Sequence, residues 1–569
     1  MVPTGRARSA GLSVVAVAEG DVDVLLLAVT FLPLLGALCL LAVPREEEGL
    51  LRGAGFAIAL VTFLLSLGLL PGFVPTAWNG LYDKVWIESM GVHFKLGLDG
   101  ISLWLVLLTT FLMPIVFVSS WTAITKKVRE FIIALLVLET GMIGAFAALD
   151  LFAFYVFWEV MLVPMYFIIG IWGGDRRIYA SIKFVLYTLV GSLVMLIAIL
   201  YVVNAYHVKT GVWTFDYDAL RGLILSPREQ LFCFLGFALA FLIKVPLFPL
   251  HTWLPDAHVE APTAGSVILA SVLLKFGGYG MLRFAMPMFP DAVAQCAPVI
   301  TILSVIGIIY GSLVAWAQED VKKLIAYSSV AHLGFVVLGL MAWNARGVDG
   351  AMMTMLAHGI STGGLFLAIG VLYERRHTRR LDEFGGLWAQ MPRFAACFMI
   401  ITLASVGLPG LSGFVGEFLI LVGSFDAVRT WNSSGMPSMF GVGGHPKVIA
   451  ALAATGVILG AVYMLWMFQK VMFGPNANPK NHKLKDLSAR EVAVFVPMIA
   501  MAFWLGMYPA TFLDTIDPAV GKTLRAFSEK YADRPESADT PRLMKGAAPP
   551  STAQIRTAQV PAGSAGGPR

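Results

Sequence analysis

The chain is 569 residues long, 58% of them hydrophobic and only 14% charged, with a net charge of +5; so apolar a composition excludes both an ordinary soluble domain and a disordered chain. The surplus of positive charge does not mark a nucleic-acid binder, because the basic residues fall in short loops between apolar runs rather than on one continuous face. Cys39, Cys233, Cys296 and Cys397 stand singly, with no CxxC pair for zinc or an iron–sulfur cluster, and no GxGxxG or GxxxxGK[ST] run offers a nucleotide site.

Along the chain, residues 1–20 read as a leader-like segment, with Arg6 and Arg8 ahead of a short apolar stretch and no convincing cleavage site after it. Runs long enough to cross the hydrocarbon core, which takes about 20 residues, then recur about fourteen times. Those near 23–43, 51–70 and 100–120 form an N-terminal group within 21–130. Those near 131–149, 151–170, 183–205, 229–249 and 262–284 form a first five-helix unit, and those near 297–316, 324–342, 350–372, 397–421 and 446–470 a second. A last span covers 491–513, and the Pro-, Ala-, Ser- and Gly-rich tail 518–569 is expected to be disordered or laid along a partner. The expected fold class is therefore an all-α polytopic membrane protein. An even number of spans puts both termini on one side; Lys and Arg number nineteen in the loops after odd spans against nine after even ones, which favours termini outside. Lys322 and Lys323 belong to the inside count and are expected only to set orientation.

Within these spans lie Glu159, Lys244, Lys275, His332, His358 and Glu417. Charges at that depth cost roughly 2.5–3.5 kcal/mol each, and a chain that keeps several of them is expected to move an ion. Two pairs share one offset: 159 plus 173 gives 332, and 244 plus 173 gives 417. The offset superposes span five on span ten and span seven on span twelve, a five-span unit used twice; with an odd number of spans the second copy is inverted. Span seven reads FLIKVPLFPLHTWLP, with Pro246 and Pro249 just past Lys244, and span twelve reads ASVGLPGLSGFVGEF, with Pro409 and glycines ahead of Glu417. Both helices are expected to be discontinuous beside their charge. His332 suits a relay, since an imidazole can both take up and give a proton, while His358 and Glu139 are possible branches or structural hydrogen-bonding groups. His251, Asp256, His258 and Glu260 have metal-ligating donor types at a spacing that fits no standard site, so no metal is assigned and a packed loop at the cytoplasmic mouth is expected.

The strings FYVFWEVMLVPMYFIIG, FLIKVPLFPLHTWLPDAHVEAPTAGSVILASVLLKFGGYG and VKKLIAYSSVAHLGF resemble the antiporter-like membrane subunits of respiratory complex I, over about residues 90–510. A glutamate, Glu417, in broken span twelve resembles the subunit M, or chain 4, family among them. The resemblance implies a proton-translocating subunit of NADH:quinone oxidoreductase in which Glu159 and Lys244 form an ion pair, Lys275 and His332 relay protons and Glu417 is the exit-side acceptor. It implies no cofactor on this chain, with NADH, FMN, iron–sulfur clusters and quinone on other subunits, and as partners the other membrane subunits, including the sister antiporter-like ones, and lipids. The implied location is a bacterial plasma membrane. A cation/proton antiporter subunit, or the membrane subunit of a related hydrogenase, is similar over the same residues. A membrane metalloenzyme built on His251, Asp256 and His258 is the reading from a different class.

Overall fold

The computed structural model describes residues 19–433 and 446–532; the leader-like segment up to residue 18 and the tail beyond 532 lie outside the described residues. The first two helices, α1 (Glu19–Leu40) and α2 (Glu48–Leu67), are followed by α3 (Leu103–Ser119), α4 (Val128–Ala147), α5 (Leu151–Trp172) and α6 (Arg177–Thr210). The broken span seven is α7 (Pro227–Lys244) and α8 (Trp253–Glu260), and α9 (Thr263–Met288), α10 (Pro290–Trp316), α11 (Val321–Ala342) and α12 (Ala345–Arg376) continue from it. The broken span twelve is α13 (Pro392–Val406) and α14 (Ser412–Ser433); α15 (Pro446–Met472), α16 (Ala489–Met507) and α17 (Ala510–Ala532) end the described chain.

Eleven of these helices are long and apolar enough to cross a membrane, while α3 and α13 are shorter apolar helices. Burial sorts them into layers. The most apolar stretches of α9 and α12 are wholly buried and that of α11 is 94% buried, whereas α6 and α15 bury only 39% and 33%. A helix apolar all round and buried all round belongs at the centre of a bundle. The ionisable residues on α9, α11 and α12 therefore sit on the axis, screened from lipid by their neighbours. Small residues bring these helices together: Ser271 donates to the Gly359 carbonyl at 2.7 Å, binding α9 to α12.

Two features depart from the sequence expectation. Residues 79–98 form an antiparallel hairpin, β1 (Asn79–Ile87) and β2 (Val92–Leu98), turned at Gly91 with φ 63°. Its alternating sequence lies between spans two and three, and it has no long apolar run to mark it. The tail expected to start at Pro518 is instead helical to Ala532. Ile516, Ala519, Val520 and Phe527 recur on one face of α17 and are buried, with the Phe527 ring 4.1 Å from that of Trp343 and tilted against it, so an amphipathic helix carries through the proline.

Candidate functional site

The two helix breaks arise as their prolines require. Pro246 and Pro249 bring no N–H, so carbonyls in the last turn of α7 lose their ladder partners. The Ile243 carbonyl is recovered by the Trp253 indole, which donates from α8 at 3.0 Å. Lys244 thus ends a helix with its ammonium buried, 5.1 Å from the Trp158 ring and 5.6 Å from that of Phe184. In span twelve, Gly407 and Gly410 take φ 84° and 91°, a left-handed region that glycine reaches without strain, and the chain turns over before Ser412. Glu417 is then tucked back beneath Gly407, close enough that a Cβ there would stand 3.3 Å from its carboxylate.

Glu159 is on α5, the helix capped by Asp150, and lies beside Tyr155; its Oε1 is buried without a hydrogen-bond partner. The direct Glu159–Lys244 ion pair implied by the resemblance is not closed. Glu159 acts on Lys244 through its charge, and the aromatic face of Trp158 also lies against the ammonium.

A line of buried polar groups begins at Lys275. Lys275 lies in α9 between two wide π-helical turns, Leu269–Leu273 and Met281–Ala285, of the kind that release backbone groups inside a helix. It is fully buried; its ammonium donates to the Ala270 carbonyl at 2.5 Å and meets His358 Nδ1 at 2.7 Å. The His358 ring is 5.8 Å from the His332 ring, centre to centre, and His332 Nδ1 meets Glu417 Oε1 at 2.8 Å. His358, expected at most as a branch, therefore joins Lys275 to His332 in the main line. With Lys275 as an ammonium, which can only donate, His358 Nδ1 accepts and its proton is on Nε2. The Glu417 carboxylate can only accept, so His332 Nδ1 carries its proton and Nε2 is the open acceptor. Both Nε2 atoms are buried without a partner, which leaves a donor and an acceptor for the gap between the rings.

Gly277 ties the two parts together. A side chain at that position would strike the backbone of Val245 and Phe241, so only glycine lets α9 lie against the broken end of α7. Glu139, the other possible branch, is wholly buried in α4, and neither carboxylate oxygen has a partner; it makes no contact with the line. In the HTWLPDAH segment, Asp256 pairs with Lys183 at 2.7 Å, His258 stacks on Phe366 at 4.6 Å and Glu260 accepts from the Arg176 backbone at 2.9 Å. Among the described residues no group of three or more His, Cys, Asp or Glu converges as metal ligands would. Lys322 corrects the expectation of a surface lysine: it is buried, donating to the Ala261 carbonyl at 2.5 Å, because α11 begins against the end of α8. In sequence it cannot be told from its neighbour Lys323.

A family model described as NADH:quinone oxidoreductase/Mrp antiporter, transmembrane, matches residues 148–441. The chain is 47% identical over 516 residues to NADH-quinone oxidoreductase subunit M of Rhodobacter capsulatus, an alignment covering 88% of this chain and 97% of that one. It is 45% identical over 496 residues to NADH-ubiquinone oxidoreductase chain 4 of Arabidopsis thaliana, covering 87% and 95%. Among solved structures it is similar to a chain of respiratory complex I from Thermus thermophilus with bound NADH, with TM-score 0.77 and 35% identity over 88% of this chain and 99% of that one.

Proposed function

Because this chain belongs to the family of membrane subunits shared by NADH:quinone oxidoreductase and the Mrp antiporters, we infer that it is the proton-translocating subunit, of the subunit M or chain 4 type, of an NADH:quinone oxidoreductase. Its partners are the other membrane subunits of that complex. The redox chemistry of NADH and quinone runs elsewhere, on subunits that hold FMN and the iron–sulfur clusters; this chain's share of the reaction is movement of protons across the membrane.

The observation that carries the reading is the run of contacts from Lys275 through His358 and His332, on the three most buried helices, to Glu417 on α14. Such a run needs no redox group, only a means of loading and unloading its first lysine. Lys244 supplies that means. Its charged form is costly in an apolar site and is favoured by the Glu159 carboxylate, so a motion that separates the two releases a proton toward Lys275, and their approach recaptures one. Lys275 hands the proton to His358 Nδ1 as the Nε2 proton of His358 passes to His332 Nε2; His332 gives its Nδ1 proton to Glu417. Each acceptor is left with the other ring nitrogen open, so the line resets when the rings exchange tautomers. The two units of five spans, 131–284 and 297–470, are read as inverted copies that each contribute one broken helix and one charge beside the break. The chain is read with both termini on the outer face of a bacterial plasma membrane.

Co-purification tests the reading. The chain drawn from its native membrane should travel with an NADH-oxidising peripheral arm; recovery with antiporter chains alone would turn the assignment to a cation/proton antiporter.

A further inference from the structure

One acidic pair lies outside the Lys275–Glu417 line. Asp349 stands in the second turn of α12, 7% exposed, with its Oδ1 lacking any hydrogen-bond partner. Its carboxyl reaches that of Asp517 on α17 within hydrogen-bond range, and Asp517 is exposed. Two carboxyls side by side repel when both carry charge, and a proton shared between them relieves the repulsion. The pair sits at the end of α12 opposite Arg375 and Arg376, which the positive-inside rule places on the outer side.

A polar step connects this end to the line. Thr354 is 3% exposed and its hydroxyl has no partner. It packs on Gly416, the residue next to Glu417, so closely that a Cβ at Gly416 would overlap the hydroxyl; a Cβ at Gly350 would likewise stand 2.8 Å from the Gly416 carbonyl. The glycines hold α12 and α14 at backbone contact here, and Thr354 is the buried polar side chain on that seam. From Thr354 back to Asp349 the helix rises about 7.5 Å, a length that a proton crosses only along bridging water.

We propose that Asp349 and Asp517, reached from Glu417 by way of Thr354, are the last station before the outer aqueous face, releasing the pumped proton from the C-terminal helix. This rests on the proton-translocating reading of the chain. One proton arrives on Asp349 as another leaves Asp517 for water, so the pair carries a single negative charge before and after each transfer.

The alternative is a static latch that fastens α17 to α12, and an asparagine separates the two. Its amide donates to the remaining carboxylate, so Asp349→Asn preserves the latch and abolishes the relay. In the assembled complex in proteoliposomes, with protons moved per NADH oxidised as the readout, Asp349→Asn should lose as much pumping as Glu417→Gln, and Asp349→Glu should restore at least half of it. Wild-type pumping in Asp349→Asn beside a loss in Glu417→Gln overturns this inference and leaves the proposed function standing; wild-type pumping in Glu417→Gln overturns both. Should Asp349→Asn fail to assemble, Asp517→Asn, changed on the exposed side, decides between relay and latch: loss of pumping supports the relay, and wild-type pumping refutes it.

Discussion

Gly277→Ala probes the junction on which the candidate site depends. The added methyl would stand 2.6 Å from Val245 Cβ and 2.5 Å from the Phe241 carbonyl oxygen, against an optimal carbon–carbon separation of about 3.5–4.0 Å. The obstacle includes backbone in the last turn of α7, so no rotamer change relieves it, and α9 must retreat by about 1 Å. Overpacking of this kind costs about 1–3 kcal/mol, which reduces but does not abolish the amount of assembled complex. The retreat also carries Lys275 away from Lys244, and a misplacement of about 1 Å between groups that exchange a proton costs on the order of 100-fold in the step. Native gels of solubilised membranes read assembly, NADH-driven acidification of inverted vesicles reads pumping, and NADH oxidation by an artificial acceptor reads the integrity of the redox arm. Pumping should fall far more than assembly does. Gly460→Ala, where nothing lies within 4 Å of the new methyl, should match the parent in all three. A Gly277→Ala complex that assembles and pumps like the parent would show that α9 does not rest on the α7 break.

His358→Gln keeps a polar group beside Lys275 but cannot take up charge, so it should slow the transfer step by about 100-fold or more with assembly intact; undiminished pumping in the same vesicles would mean that protons bypass His358. Trp253→Phe strands the Ile243 carbonyl, a buried acceptor whose loss of partner costs about 1–3 kcal/mol, and should lower the temperature at which the detergent-solubilised complex loses this chain; an unchanged temperature would show that water serves the carbonyl as well. Asp150 accepts from the backbone of Phe152, Ala153 and His93 at 2.9–3.1 Å and caps the Glu159 helix, so Asp150→Ala should cost about 1–2 kcal/mol in the same thermal assay. Burial pushes the Asp150 carboxyl up to about 6 from its ordinary 3.8. The folded chain therefore holds that proton more tightly than the unfolded one, and the stability this residue contributes is full below about pH 4 and declines as pH rises to about 6. Asp150→Asn should remove that part of the pH dependence, and an unaltered profile would contradict it.

Much of the site can be read from residue types alone, because a charge in an apolar run stands out wherever the run is long. Lys275, His332 and Glu417 are picked out in this way, and the prolines and glycines beside Lys244 and Glu417 mark the helix breaks that the structure contains. Contact order is another matter. Nothing in MLAHGISTGGLF indicates that His358 lies between Lys275 and His332 rather than off to one side; that depends on α9 and α12 meeting at Ser271 and Gly359. The reverse holds for Glu159 and Lys244, whose opposite charges suggest a pair that is not closed, while the Trp158 ring lies against the ammonium. Lys322 hides in the sequence because two adjacent lysines at a helix start look alike, although one turns inward to the Ala261 carbonyl. The hairpin at 79–98 and the helix through Pro518 escape notice for a common reason: both are amphipathic and short of apolar length, so neither resembles a membrane span.

Lys244 is the group proposed to drive the rest by its loading and unloading, and Lys244→Ala in the intact complex is the most direct trial of that role. Protons moved per NADH oxidised should fall to the level of a chain that conducts nothing, with coupled NADH oxidation strongly slowed, oxidation by an artificial acceptor unchanged, and Lys323→Ala affected much less. Full proton pumping in the Lys244→Ala complex would contradict it.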